Sequence, residues 1–201
     1  MKGYLKIMAL LAFALCAPLH AEAQTVWQKC VSAMSSHCAE FDFSYAAKSG
    51  SGSPEKWNGS VKVQGHAFVL KSSGVEIWCD GAACRTVDAG AKEVIIEPVQ
   101  KDLQPDFFRE VSSVRVNAGG TSLEKISLRP RTAVSGITSV TVYVDTAPAL
   151  PVFRKATVRT SEGNDADVVI SGMKYTAPVP VSSFVFRTDN LDSSWVVTDL
   201  R

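Results

Sequence analysis

An Asp-Gly pair set between two short alternating apolar runs constrains this chain more than any other feature. It lies at Asp80-Gly81, inside Gly74–Val99 (GVEIWCDGAACRTVDAGAKEVIIEPV). Glycine accepts the positive φ of a tight turn, so Asp-Gly between period-two runs signals a β-hairpin. The stretch predicts three strands, Val75–Cys79, Cys84–Val87 and Glu93–Glu97, turning at Asp80-Gly81 and at Ala89-Gly90-Ala91. An antiparallel meander is the unit to which the rest of the chain must be fitted.

The same period recurs on both sides of it. Glu40–Ala47 alternates, with Phe41, Phe43 and Tyr45 on one side and Asp42 and Ser44 on the other. Trp57–Gln64 and Ala67–Lys71 form a hairpin with Val61, Val63, Phe68 and Leu70 in step, while Lys48–Glu55 reads as a loop. Asn58-Gly59-Ser60 matches a glycosylation acceptor and is read instead as turn chemistry. Beyond the polar connection Lys101–Asp106, Phe107–Val111 is either a short helical turn or extended, and Asn117–Gly120 is a turn. Strands follow at Leu123–Leu128, Ser139–Val144, Ala156–Thr160, Val168–Ser171, Val181–Arg187 and Trp195–Leu200. One helix is predicted from a Thr25 cap to about His37, with Trp27, Cys30, Val31, Met34 and Cys38 on one stripe. The fold class is therefore mainly β (α+β): ten or eleven antiparallel strands in a strongly curved sheet or incomplete barrel.

Lys2 and Lys6, the apolar run Ile7–Pro18 and the small residues of Ala21-Glu22-Ala23 predict a signal peptide cleaved before Gln24. That apolar run is too short to remain as a membrane anchor. Residues 24–201 then form one exported domain. It carries 19 basic and 19 acidic residues, a balance that argues against nucleic acid or an anionic membrane surface as partner. Cys30, Cys38, Cys79 and Cys84 suggest two disulfides in an oxidising compartment. Cys79–Cys84 would span the Asp-Gly turn, leaving Cys30–Cys38 as the second pair. The rival is a zinc site with His37, although C-x7-C and C-x4-C are not knuckle spacings.

Catalytic chemistry has few candidates. Only His37 and His66 lie beyond the predicted signal peptide, and no G-x-S-x-G, H-E-x-x-H, G-x-G-x-x-G or P-loop pattern occurs. Asp80 and Asp88 sit where Asp bonds its own turn backbone, and Arg129-Pro130-Arg131 reads as a solvated strand end. No catalytic residue, metal or cofactor is expected. What the chain has in quantity is aromatic and branched side chains at alternating strand positions. They either fill a core or line an apolar cavity; periodicity is compatible with both.

In chain order the motifs run Phe41-x-Phe43-x-Tyr45, Gly59-Ser60-Val61-Lys62-Val63, and Gly65-x-x-Phe68-x-Leu70. They continue through Glu76-Ile77-Trp78-x-Asp80-Gly81, Lys92-Glu93-Val94-x-Ile96 and Phe184-x-Phe186, and close on Val197-Thr198-Asp199-Leu200-Arg201. Over the mature chain this order resembles the periplasmic outer-membrane lipoprotein carrier family, LolA-like. The resemblance implies an incomplete barrel with a helical lid over an apolar cavity, and no enzymatic activity. It also implies a periplasmic monomer that escorts acylated lipoproteins without ATP. Cargo would come from an inner-membrane lipoprotein-releasing ABC complex and pass to an outer-membrane acceptor. On that reading the lipid-binding cavity is lined by Trp27, Met34, Phe41, Phe43, Phe68, Leu70, Ile77, Val94 and Ile96. Two departures stand out: Gln64-Gly65-His66 replaces the Arg-Pro of many carriers, and Cys84 stands where many relatives have Trp. A second reading is an envelope-sensing module of the same fold that binds lipid or peptide without transport. A third is a small hydrolase or redox protein using Cys79 or Cys84.

Overall fold

The computed structural model describes residues 25–47, 55–99, 108–118, 120–131, 136–163 and 165–201. The predicted signal peptide, the Lys101–Asp106 connection and residues 48–54 of the predicted loop lie outside the described residues. Helix α1 spans Val26–Ser36. It starts where the sequence allows a capping box: Thr25 Oγ1 accepts from the Gln28 N–H, and Gln28 Oε1 accepts from the Thr25 N–H. At His37 the backbone turns extended and leads directly into the sheet.

Twelve strands follow among the described residues. They are β1 (Cys38–Ala47), β2 (Glu55–Gln64), β3 (Ala67–Ser72), β4 (Val75–Cys79), β5 (Ala83–Asp88) and β6 (Glu93–Pro98). Then come β7 (Phe108–Ala118), β8 (Thr121–Pro130), β9 (Ile137–Asp145), β10 (Val152–Thr160), β11 (Ala166–Thr176) and β12 (Val196–Asp199). They form one curved sheet in the order β12-β6-β5-β4-β3-β2-β1-β11-β10-β9-β8-β7. Two meanders, β1–β6 and β7–β11, are joined through the antiparallel β1–β11 pair, and β12 pairs β6 in parallel. With β7 and β12 at opposite ends, the sheet stays open.

The opening meander is present as expected, with Gly81 at φ +90°. Asp80 Oδ1 accepts from the Ala82 and Ala83 N–H groups at 2.8 Å each, and Oδ2 takes an ion pair from Arg85 at 2.8 Å. Asn58-Gly59-Ser60, however, lies inside β2 and is no turn. Gly59 faces Phe43 across the ladder, where an added Cβ would sit 2.2 Å from the Lys71 carbonyl oxygen and 2.7 Å from Phe43 Cζ. Glycine is there so that the ring can lie over bare backbone.

Of the two readings of Phe107–Val111, the extended one holds: from Phe108 it belongs to the eleven-residue strand β7. A register shift between Glu110 and Ser112 breaks its alternation, and so its sequence is a weak strand signal. Val181–Arg187 is a correction, because it is not the expected strand. After Pro178 and Pro180 it makes a 3₁₀ turn at Val181–Phe184. The segment 177–195 leaves β11 mid-sheet and crosses one face to reach the far edge, where β12 docks. The side chain of Gln64 pins it, donating to the Val179 carbonyl at 3.0 Å and accepting from its N–H at 2.7 Å.

The sheet thus has two covered faces. On the helix face, α1 packs against alternating residues of β1–β4 and β8–β11 in one apolar cluster, with the Trp27 indole edge-on to Phe153 at 6.4 Å. On the other, the return face, the crossing segment packs into the meander. Phe184 sits among Cys38, Ala67 and Val69, while Phe186, Leu191 and Trp195 cover Ala83, Val87, Val94 and Ile96.

Candidate functional site

Seven of the nine side chains expected to line a cavity come together. Trp27 and Met34 point down from α1; Phe41 and Phe43 (β1), Phe68 and Leu70 (β3) and Ile77 (β4) point up from the sheet. All are buried in one cluster, with Met34 and Leu70 at 0% exposure. The other two, Val94 and Ile96, are a correction. They lie on the return face beneath Trp195 and Leu191, and the register places their neighbour Ile95 opposite Thr86 on the helix face. The sequence has apolar residues at all three of these positions, so alternation gives no way to choose the face. The crossing segment makes the choice, because it leaves β6 with something to bury on the return side.

The cluster also holds residues that the motif reading does not reach. Phe153 and Val158 of β10 and Ile170 of β11 complete the floor. Phe153 is two residues beyond Pro151, in a stretch whose prolines read as a break. Among the described residues, α1 rests on the sheet side chains as a plug. Two backbone ties hold that plug, the Trp27 N–H to Glu110 Oε2 at 3.0 Å and the Gly65 N–H to the Met34 carbonyl at 3.0 Å. The first satisfies a donor of the opening turn, which has no partner within the helix. The second uses one of the residues standing in place of Arg-Pro; proline has no N–H to offer, and Gly65 holds φ +57°. Away from the helix, the Trp57 indole N–H is buried beside Phe43 and Tyr45 with no hydrogen-bond partner among the described residues.

The cysteines divide into two cases. Cys79 and Cys84 are direct cross-strand partners with Sγ atoms 2.7 Å apart, and all four described cysteines are thiols in this structure. The expected Cys30–Cys38 pair is corrected: Cys30 belongs to the helix-face cluster and Cys38 to the return face beside Phe184, so the sheet separates them. Hydrogen bonding to Cys79, then burial, pushes the Cys84 thiol up; burial, then the Glu110 charge, pushes Cys30 up to about 12. Burial raises Cys38 as well. Thiolate chemistry needs the opposite shift.

Asp80 and Asp88 do turn work, as expected. For Asp80, burial works to raise the pKa, but the Ala83 and Ala82 amides and Arg85 outweigh it and hold the carboxyl below its usual range. Asp88 Oδ1 accepts from the Ala91 N–H at 2.9 Å. Among the described residues, no three His, Cys, Asp or Glu side chains gather as a metal would require.

No family model and no curated relative matches the chain. Solved structures similar to it include an uncharacterized conserved protein from Thermus thermophilus. That protein is 12% identical with a TM-score of 0.52, over 81% of this chain and 91% of that one. A LolA superfamily protein from Nitrosomonas europaea is 10% identical over 92% of this chain and 99% of that one, with a TM-score of 0.43. A putative outer membrane lipoprotein-sorting protein domain from Vibrio parahaemolyticus is 12% identical, over 73% and 88%, with a TM-score of 0.42. The first likeness concerns the fold alone, and neither of the other two adds to the argument.

Proposed function

We propose that residues 24–201 form one exported domain that binds acyl chains between α1 and the helix face. On this reading it is a periplasmic, monomeric carrier for acylated lipoproteins. It would receive them from an inner-membrane releasing complex and deliver them to an outer-membrane acceptor. The observation that supports this is the closure of the helix face. An extended apolar surface in an open sheet is covered, among the described residues, by one eleven-residue helix.

Such a helix is too short to be stable by itself in water, so its packing holds it helical. Its underside buries Trp27, Cys30, Val31 and Met34, roughly 6–12 kcal/mol of gross apolar stabilisation at about 1.5–3 kcal/mol per side chain. A sixteen-carbon chain brings about 11 kcal/mol at ~0.8 kcal/mol per buried methylene. The two are comparable, so an acyl chain can exchange for the contacts beneath α1, which fits reversible carriage. No covalent step is needed.

The test is native mass spectrometry of protein purified from the envelope, followed by lipoprotein release from spheroplasts. Co-purified acyl lipid together with release activity is the expected result. Lipid-free protein in every preparation, with no uptake of added fatty acid, would sink the reading. Lipid uptake without release would favour the sensing module instead.

A further inference from the structure

A groove of about 530 Å³ opens at the rim of the helix face. It runs between α1, the loop Thr146–Pro151 that joins β9 to β10, and the β7–β8 ladder. Its lining mixes the apolar Val26, Ala33 and Leu150 with the hydroxyls of Ser32, Ser36 and Thr146. Val26 also packs against the helix-face cluster, so the groove adjoins the acyl site proposed above. Its wall is fixed at both ends of the loop. Asp145 accepts from the Ala147 N–H at 3.1 Å and pairs with Arg154 at 2.9 Å, while the Tyr175 hydroxyl donates to the Pro151 carbonyl at 2.7 Å.

Two cations border this lining, Lys29 from α1 and Arg115 from β7. Arg115 is oriented: Glu124, itself mostly buried, accepts from Ser113 Oγ at 3.0 Å and from Arg115 Nε at 3.2 Å. That grips the guanidinium by one edge and leaves a side chain 74% exposed to solvent. Lys29 enters no ion pair among the described residues. With Glu124 counted, the lining keeps one net positive charge. In the groove on the return face each lysine instead has a carboxylate partner. Lys62 and Lys174 both pair with Glu40, and Lys71 pairs with Glu76.

We infer that the rim groove holds the anionic head of an acyl amphiphile, with Lys29 and Arg115 as its partners and the chain running under α1. This rests on the acyl-binding reading and adds the class of cargo: an acidic lipid is preferred over one with a neutral or zwitterionic head. Both cations are solvent-exposed, so their combined effect on affinity is modest, about three- to tenfold.

The test compares lysophosphatidylglycerol with lysophosphatidylcholine of the same chain, below micellar concentration, by calorimetry on the whole mature protein. The wild type should bind the acidic lipid about three- to tenfold tighter at low ionic strength, and less so in high salt. The double variant Lys29→Gln/Arg115→Gln should lose that preference and bind the two lipids about equally. Equal affinities in the wild type, or a preference that survives in the double variant, overturn the head-group site and leave acyl burial standing. Binding of neither lipid overturns both.

Discussion

Shortening one side chain on each face of the sheet separates a ligand site from an ordinary core. Phe68 on the helix face is 1% exposed, between Val63 and Cys79 on the neighbouring strands. Phe68→Ala should cost about 3–5 kcal/mol, the usual range for emptying a buried aromatic site. In a domain of this size that lowers Tm by roughly 6–20 °C. The vacated volume accommodates three or four methylenes, worth about 2.5–3 kcal/mol at ~0.8 kcal/mol each. If acyl chains lie on this face, the variant should bind a fatty acid up to about a hundredfold tighter than the wild type. Its ligand-induced rise in Tm should exceed the wild-type rise at the same concentration. Val94→Ala is the control. It removes roughly 1.6 kcal/mol of buried methyl groups plus a cavity cost, but beneath Trp195 and Leu191 on the return face. Fatty acid should stabilise it no more than the wild type. The assay is thermal unfolding with and without myristate. Equal rescue of both variants, or a Phe68→Ala response no larger than the wild type's, would refute the assignment of faces.

Three further outcomes follow from particular contacts. Gly59→Ala should lose at least about 3 kcal/mol by urea titration, because the new methyl meets the Lys71 carbonyl and cannot move without parting β2 from β3; a loss under about 1 kcal/mol would mean that the ladder yields. Thiol titration of denatured protein purified without reductant should find two groups, Cys30 and Cys38, with Cys79–Cys84 oxidised; four would contradict the pairing. Oxidised, that pair would contribute about 2 kcal/mol by closing a short loop, which Cys79→Ser should remove. Asp145 gives a pH dependence. The Arg154 hydrogen bond, then the Ala147 amide, hold its carboxyl below the unfolded value. The stabilisation is therefore full above about pH 4 and fades as pH falls through the folded pKa. Asp145→Asn should be less stable than the wild type at pH 7, the gap narrowing in acid; parallel Tm curves from pH 7 to 2 would count against it.

The parts of this fold that can be read from sequence are those fixed by local chemistry. The Thr25 cap with Gln28, the Asp80-Gly81 turn and the strict alternation of Phe41, Phe43 and Tyr45 each act within a few residues, and the structure carries them where expected. Elsewhere the decision is made at a distance. Alternation puts Val94 and Ile96 on the wrong face because Val-Ile-Ile offers apolar side chains to both, and residues 184–195 settle which is covered. β7 is hard to see because its bulge breaks the period at Val111. Cys30 and Cys38 look pairable by proximity in sequence, yet the end of α1 delivers them to opposite sides of the sheet. The plug itself is visible as an apolar stripe, whereas its ties to Glu110 and Gly65 depend on strands far away in sequence.

The parallel pairing of β12 with β6 also has a kinetic side. It matches Val196 to Glu93, about a hundred residues apart, and such a contact forms only after a large loop closes. Until then Val94 and Ile96 face water along an unpaired strand edge, the kind of surface that recruits other chains. The stretch that seals β6 is synthesised well after β6 itself, so the nascent polypeptide passes through a sticky interval. Holdase chaperones that grip exposed strands would find their grip there, and mutations in 184–199 should appear first as inclusion bodies rather than as lost binding.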